Sequence, residues 1–199
     1  MRLLDPVLDG AVSLERTVHQ RRTIRSFESR NLTFRQLSQL LWAAQGITEA
    51  GGFKRAAPSA GALYPMDVYG AVGSGCIEKL EPGVFHYEPG THSISLVKQG
   101  DIRTDIARAS LQQMWMADAP LTLVITAEYS RIMSKYGQRG VRYAMIEAGH
   151  IGQNIFLQSQ ALALEAGIVG AFEDHAIIRV MGIKKTHEPL LIMPVGYGR

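Results

Sequence analysis

A long helical pattern between Arg142 and Leu164 limits this chain more than any other feature of its sequence. Gly149 and Gly152 interrupt the pattern, and each glycine costs a helix about 1 kcal/mol relative to alanine. A helix that keeps both glycines is expected to lie close against another helix or against a cofactor ring. Gly167 is expected to end the helix. Its predicted apolar surface consists of Ile146, Ile151, Ile155 and Leu162.

The clearest second helix is predicted between Asn31 and Gly46. Thr33 is a suitable N-cap, and Gln36 follows three residues later, which together predict a capping box. Gly46 is expected to close the helix in a left-handed conformation. Leu32 is placed to make a hydrophobic staple with the first residue of a buried stripe, which consists of Leu37, Leu40, Leu41 and Ala44.

The other helical and strand patterns follow one another without strict alternation. Further helices are predicted from near Pro6 to His19, from Asp101 to about Trp115 and from Asp174 to Met181. The predicted strands are residues 67–72, 84–87, 93–97, 121–126 and 190–195. The apolar run at 121–126 is expected to be a central strand. This mixture favours an α+β fold over a doubly wound parallel sheet, in a single domain over residues 1–199.

Composition excludes several classes of partner. The net charge is only +3 over 199 residues, and no run of like charges forms a basic stripe, so no nucleic-acid partner is predicted. No stretch is long and apolar enough to predict a signal peptide or a membrane span, so no membrane partner is predicted. Cys76 is the only cysteine, which rules out an intrachain disulfide and fits a reducing compartment. The expected location is the cytoplasm.

Motifs of several enzyme classes are missing from the sequence. There is no G-x-x-x-x-G-K-[ST] loop and no G-x-G-x-x-G after a strand. No histidine has metal-ligand spacing to another histidine or to Cys76, so no metal site is predicted. His150, within the long helical pattern, is expected to be an interior histidine. Ser59 lacks the surroundings of a nucleophile elbow.

A basic run follows the first predicted helix. Arg21, Arg22 and Arg25 fall within five residues, together with Thr23. Arginine presents a planar fork of donors that suits a phosphate or a planar acceptor edge. Arg21 and Arg25 would share one face of a helical turn. Two interpretations stay open at this point: an anion-binding run and a solvated basic turn.

This run, the segment Ala57–Pro65 and the segment Glu147–Gln158 together resemble the FMN-dependent nitroreductase family. The likeness is closest to the azoline oxidase branch (SagB-type dehydrogenases), whose members mature peptide natural products. It extends from about Arg21 to the C-terminus. The resemblance implies a nitroreductase-like fold with a central mixed, mainly antiparallel sheet flanked by helices. It also implies a domain-swapped homodimer with flavin sites at the subunit interface.

The resemblance also implies which residues would hold FMN. Arg21, Arg22 and Thr23 would meet the phosphate and the ribityl chain, and Arg25 would reach the ring near N1. Gln113 would hydrogen-bond the pyrimidine side of the ring, and its alternative is a surface position. Arg199 would reach the phosphate, and its alternative is a free terminal residue. The implied contacts to the ring are Pro58, Ser59, Ala60, Gly61, Leu63, Val169, Gly170 and Ala171.

Lys135 and Tyr136 match a pair that lies above the flavin in azoline oxidases. Such a pair could exchange protons with a substrate while hydride moves to or from flavin N5. The alternative is a solvated, basic entry to the long helix. Both remain open from the sequence.

The predicted function is an FMN-dependent oxidoreductase that passes hydride between NADH or NADPH and a small organic acceptor. One alternative is the dehydrogenation of a heterocycle or a modified peptide with the help of Lys135 and Tyr136. Another is a flavin-binding interaction subunit without turnover of its own. Reduction of bound flavin by a nicotinamide donor separates the last alternative from the first two.

Overall fold

The structure is a computed structural model that describes residues 1–199, with six helices and six strands. The helices are α1 (Leu14–Gln20), α2 (Phe34–Gln45), α3 (Arg103–Ala109), α4 (Ser130–Tyr136), α5 (Arg139–Ala161) and α6 (Asp174–Met181). The strands are β1 (Met66–Val72), β2 (Gly83–Glu88), β3 (Ser93–Gln99), β4 (Leu121–Ala127), β5 (Glu165–Ala166) and β6 (Glu188–Gly196). No helix combines the length and the apolar character that crossing a membrane requires.

All six strands form one sheet in the order β3-β2-β1-β4-β6-β5. Every ladder between neighbouring strands is antiparallel. Parallel pairing occurs only in isolated bridges, from Thr23 to Ala166 and from Leu32 to Ile77. All residues of β1 and β4 are buried, which confirms the predicted central strand. The α+β class with a mainly antiparallel sheet is therefore confirmed.

Helices cover both faces of the sheet because successive side chains of the central strands point to opposite sides. On β4, Leu121, Leu123 and Ile125 join the core beneath α2 and α5. Val124 points the other way and joins a second core with residues of α3 and α6. A strand that is buried on both faces has a continuous apolar sequence, which is why the run at 121–126 predicted a central strand.

Helix α2 confirms the capping prediction but not the predicted role of Gly46. The Thr33 hydroxyl accepts from the Gln36 amide at 3.2 Å, and the Gln36 side chain accepts from the Thr33 amide at 2.9 Å. Gly46 has φ −63°, so its conformation is not left-handed. A Cβ atom there would lie 2.2 Å from Cδ1 of Trp42. Glycine is needed at this position because the Trp42 ring occupies the space of a side chain.

Two predicted helices are shorter than their sequence patterns. Helix α1 begins at Leu14 rather than near Pro6, because the Ser13 hydroxyl accepts from the Arg16 amide at 3.2 Å and caps it. Helix α3 ends at Ala109 instead of continuing to Trp115. Leu111 and Gln112 follow with φ of 55° and 61°, and this left-handed turn breaks the helix.

Helix α5 lies three residues earlier than predicted and ends at Ala161, well before Gly167. Gly152 is closely packed, but against β6 rather than against the predicted helix or cofactor ring: a Cβ atom there would lie 3.3 Å from Leu191 Cδ1. Gly149 faces open space instead. His150 is exposed, so its prediction as an interior histidine was wrong. The glycines of α5 therefore serve different surroundings.

Candidate functional site

The arginine run is extended, not helical. Helix α1 ends at Gln20, and Thr23 pairs in parallel with Ala166 of β5. The Ile24 amide donates to the Ala166 carbonyl at 3.0 Å. The predicted sharing of a helical face by Arg21 and Arg25 was therefore wrong, because pairing with β5 holds this backbone extended. In an extended backbone residues two apart face the same side, so the expected group is Arg21, Thr23 and Arg25.

The side chains of the run differ in what they contact. The Arg21 guanidinium carbon lies 5.1 Å from the centroid of the Phe156 ring on α5. Arg22 Nη1 donates to the carbonyls of His19 at 2.9 Å and Arg21 at 2.8 Å, so this side chain folds back on the end of α1. Arg25 is exposed. Arg21 and Arg25 are the side chains of the run that remain available for an anionic ligand.

The C-terminal residues lie beside the arginine run. The Arg199 amide donates to the Ser26 carbonyl at 3.3 Å, and the Glu28 amide donates to the Tyr197 carbonyl at 2.8 Å. Residues 27 and 198 also form an antiparallel bridge. The structure thus brings the predicted Arg199 to the predicted run, and the backbone of this terminal residue is hydrogen-bonded.

The predicted residues Gln113 and Ala171 contact each other. Gln113 Nε2 donates to the Ala171 carbonyl at 3.2 Å and to the Ser110 carbonyl at 3.0 Å. Val169 is buried and pairs with a residue of β6, whereas Gly170 is exposed and a Cβ atom there would meet nothing within 4 Å. The segment is therefore anchored at Val169 and open to a ligand at Gly170.

Gly167 joins the arginine run to the region of Gln113, a role that was not predicted from the sequence. A Cβ atom on Gly167 would lie 2.8 Å from the Ile24 carbonyl oxygen and 2.9 Å from the Trp115 ring. The backbone after β5 is thus pressed between the arginine run and the turn after Gln113. The sequence signal was present, since Gly167 lies two residues before the predicted segment Val169–Ala171.

The segment Pro58–Gly61 meets the predicted pair Lys135 and Tyr136. Gly61 has φ +63°, and a Cβ atom there would lie 2.8 Å from Tyr136 Oη and 3.2 Å from Lys135 Nζ. The Lys135 ammonium nitrogen lies 5.4 Å from the centroid of the Tyr136 ring. Glycine permits both the left-handed backbone and this close approach. Two sequence predictions made separately therefore fall at one place.

The turn after Ser59 is compact and carries backbone strain. Ala62 and Tyr64 have φ of 53° and 47°, which residues other than glycine seldom adopt. The Ser59 hydroxyl accepts from the Tyr64 amide at 2.9 Å and closes the turn. Ala60 and Leu63, two further predicted contacts, pack against the core beneath α5. The segment is thus shaped before any ligand binds.

A buried polar group, Glu147, also adjoins this turn and was not predicted as a site residue. Glu147 is 1% exposed, and Gln45 Nε2 donates to its Oε1 at 3.0 Å. Arg55 Nη1 donates to Gln45 Oε1 at 3.4 Å. Burial raises the pKa of the Glu147 carboxyl to about 7, although Ser59, Gln45 and Arg55 act in the opposite direction. The turn therefore rests on a titratable group.

Within one copy of the chain, the predicted residues form two separate groups. One contains the arginine run, Arg199 and the Gln113–Ala171 contact; the other contains Gly61, Lys135 and Tyr136. No hydrogen bond, salt bridge or ring contact joins them. Both groups adjoin α5, the first through Phe156 and the second through Glu147. At the rise of an α-helix, these two residues are about 13 Å apart along the helix axis.

Comparison with known proteins places this arrangement in context. The sequence model described as the Nitroreductase family matches residues 18–197. MJ1384 of Methanocaldococcus jannaschii, whose name assigns it to the nitroreductases, is 42% identical over 185 residues, which cover 93% of this chain and 91% of that protein. A crystal structure of a protein from Ralstonia eutropha, also assigned to the nitroreductases, superposes with a TM-score of 0.83 at 26% identity and covers 99% of this chain and 88% of that one.

A third similar protein is the Microcin B17-processing protein McbC of Escherichia coli. It is 26% identical over 173 residues, which cover 85% of this chain but only 64% of McbC. The chain thus spans less than two thirds of this relative. The likeness to the azoline oxidase branch, inferred from three short segments, agrees with this match.

Proposed function

The chain belongs to the nitroreductase family, and we propose that it is an FMN-dependent oxidoreductase. Its nicotinamide donor would be NADH or NADPH, and its second substrate a small organic acceptor. When bound, FMN would supply a centre at N5 that accepts and releases hydride. We treat residues 1–199 as one FMN-binding domain. The observation that carries the proposal is the close packing of the arginine run against Gly167, on the backbone that leads from β5 to the open Gly170, with Arg199 hydrogen-bonded beside the run.

The residues present fit the charge and shape of FMN. Arg21 and Arg25 would bind an anionic phosphate and the polar edge of the ring, because their guanidinium groups are not committed to carboxylates. Thr23 would add a hydroxyl donor. Gly170 leaves room for the ring because no other atom occupies the space of its missing side chain. Gln113 is already oriented by the Ala171 carbonyl.

A homodimer is part of the proposal. The two groups of predicted residues lie apart in one copy of the chain. A site that contains both groups therefore requires either that they move closer together along α5 or that a second copy of the chain supplies one of them. Exposed apolar side chains support the second copy: Met145 and Ile146 on α5 are 54% and 49% exposed. Leu14 and Val18 on α1 are 63% and 53% exposed. Such a surface is typical of a partner interface.

A second candidate function is favoured by the contact of Gly61 with Lys135 and Tyr136. If the substrate is a heterocycle or a modified peptide, hydride would pass from one carbon to FMN while Tyr136 or Lys135 takes the proton from the adjacent atom, which leaves a double bond between the two atoms. The similarity to McbC, which is named as a Microcin B17-processing protein, also supports this second function. The small-acceptor reading needs no such pair, since protons can come from water.

The first experiment is the visible spectrum of the purified protein, with mass identification of whatever is released on denaturation. Bound FMN supports the proposal, and a colourless protein that does not retain added FMN refutes it. Anaerobic mixing with NADH or NADPH then separates an enzyme from a flavin-binding interaction subunit. In an enzyme the nicotinamide reduces the bound flavin and its visible absorbance is bleached, whereas in an interaction subunit the flavin stays oxidised. A cytoplasmic location also belongs to the proposal and rests on the single cysteine.

A further inference from the structure

We propose that Arg131 is a positioning residue that holds Lys135 and Tyr136 in place above Gly61. This inference rests on the proposed function, since it concerns the second of the two groups of site residues. Arg131 lies in the first turn of α4, one helical turn before Lys135. Its guanidinium joins this helix to the chain segment that follows Gly61.

The contacts of Arg131 reach three separate parts of the chain. Its Nη1 lies 2.9 Å from Asp67 Oδ2 on β1, and its Nη2 lies 2.6 Å from Glu128 Oε2 in the turn before α4. Nη1 also donates to the Tyr64 carbonyl at 3.4 Å. Tyr64 is the last residue of the strained turn that contains Gly61. One guanidinium therefore links the turn, through a hydrogen bond, with β1 and the start of the helix that faces it, through ion pairs.

Asp67 is itself held in one orientation. It is 8% exposed, and His86 Nε2 lies 2.8 Å from its Oδ1 while Arg131 takes Oδ2. His86 is oriented in turn by Glu88, whose Oε1 lies 2.7 Å from His86 Nδ1. Burial acts to raise the pKa of Asp67, but the hydrogen bond to His86 and the charge of Arg131 hold that pKa below its ordinary value. The carboxylate thus stays charged and paired with Arg131.

A backbone hydrogen bond also connects the turn that contains Gly61 with the start of α4. The Glu128 amide donates to the Pro65 carbonyl at 2.8 Å, next to Tyr64. Ile132, the neighbour of Arg131, is fully buried and fixes the rotation of α4 about its axis. Because α4 has only seven residues, a shift at its first turn moves Tyr136 as well. Tyr136 also meets Tyr143 edge-on at 5.2 Å, so its ring has little other freedom.

The nearby His187 shows why the cation at this place matters. His187 is 2% exposed, and its Nε2 has no hydrogen-bond partner and lies 3.6 Å from Glu128 Oε2. Burial lowers the pKa of His187, which favours its neutral form. Arg131 is therefore the cation that contacts Asp67 and Glu128 together, whereas His86 pairs with Asp67 but not with Glu128. Without Arg131, the two carboxylates lie within 4.8 Å of each other and of a neutral imidazole.

The test compares Arg131→Met, which removes the charge, with Arg131→Lys, which keeps the charge but loses the fork. The matched control is Arg108→Met, since Arg108 makes an exposed pair with Asp105 at 3.1 Å on α3. The first measurement is amide hydrogen exchange of residues 58–64 and 130–137 by mass spectrometry. It needs no bound flavin. We expect roughly tenfold faster exchange in both segments for Arg131→Met, a smaller increase for Arg131→Lys, and none for Arg108→Met.

The second measurement is a double-mutant cycle with Tyr136→Phe, read as the rate at which a model azoline heterocycle is oxidised at equal flavin content. If Arg131 acts through Tyr136, Arg131→Lys as a single substitution slows oxidation. In the Tyr136→Phe background the same substitution causes no further loss. Additive losses, or faster exchange in 130–137 without a change in 58–64, overturn the inference. If Arg131→Met fails to fold, Arg131→Lys alone decides. A protein that binds no FMN refutes the proposed function, while the exchange experiment still decides whether Arg131 joins the two segments.

Discussion

Gly61 and Tyr136 are so close that a methyl group on the α-carbon of Gly61 would lie 2.8 Å from the tyrosine hydroxyl oxygen. The two residues belong to parts of the chain that are far apart in sequence. Their contact brings the turn that resembles a flavin-binding segment to the pair that resembles a proton-transfer pair. It therefore offers a direct way to disturb the second group of site residues without changing its chemistry.

Gly61→Ala is expected to destabilise the protein and to displace Tyr136. The left-handed conformation alone costs a non-glycine residue about 1–2 kcal/mol. Gly75 provides the matched control, because its φ is +65° and a Cβ atom there would meet nothing within 4 Å. Denaturant unfolding should show a larger loss for Gly61→Ala than for Gly75→Ala. Equal losses would show that Tyr136 moves aside without cost.

Lys135→Ala and Tyr136→Phe separate the two candidate functions. With a small acceptor such as a quinone, both variants are expected to keep their flavin and to change turnover by less than about tenfold. If the substrate is a heterocycle, loss of the general base should slow its oxidation by about 10²–10⁴-fold. Stopped-flow measurement of the reductive and oxidative half-reactions distinguishes these outcomes. A loss above about a hundredfold in small-acceptor turnover for Tyr136→Phe would contradict the first function.

Arg21→Ala is expected to weaken FMN binding by about 1.5–3 kcal/mol, because a hydrogen bond from a charged group is lost. Arg35→Ala is the control, since Arg35 is an exposed arginine on α2. Fluorescence titration of the apoprotein with FMN at two salt concentrations gives both affinities. A loss of the same size for both variants would mean that general charge, not the arginine run, attracts the cofactor.

Glu147→Gln is expected to remove a pH dependence of stability. Folding raises the pKa of Glu147 from 4.5 to about 7, so the folded state favours the neutral carboxyl. Stability from this group is complete below pH 4.5 and is lost as the pH rises towards 7 and above. The variant should therefore gain up to about 3 kcal/mol relative to the parent by pH 8, with little difference at pH 4. Urea unfolding at both pH values checks this, and a gain that does not change with pH would contradict it.

Sedimentation at low micromolar concentration is expected to give about twice the chain mass of 21.9 kDa. Ile146→Glu should shift the protein towards monomer, because it places a charge in the exposed apolar surface of α5. Glu78→Gln is a surface change outside that face and should leave the dimer intact. A monomeric parent protein that still holds FMN tightly would refute the dimer.

Features decided by neighbouring residues were predictable from the sequence. Thr33 and Gln36 specify the start of α2 between them, and the apolar run of β4 specifies burial on both faces. Features decided by distant neighbours were not. Gly46 was expected to have a left-handed backbone, but its real constraint is the Trp42 ring. Arg21 and Arg25 have helical spacing, yet pairing of Thr23 with Ala166 holds the run extended.

The candidate site shows the same division. The family likeness supplied most of the segments proposed for the candidate site, because each segment is a short run of neighbouring residues. The position of Glu147 beside Gln45 and Arg55 could not be predicted, since these residues come from three different parts of the chain. The same holds for Arg131, whose partners Asp67 and Tyr64 precede it by more than sixty residues. Charges that act through tertiary contacts leave no local pattern.

The bridge between Thr23 and Ala166 has a consequence for how the protein behaves during synthesis. β5 is one of the two outer strands of the sheet, and an uncovered outer strand offers backbone groups that can recruit strands from other molecules. The segment that covers it is the one proposed to bind the phosphate of FMN. In cells short of riboflavin, little FMN would be bound, and this covering segment would be held by few hydrogen bonds. Expression in such cells is expected to yield inclusion bodies, and riboflavin in the medium should shift the protein into the clarified lysate.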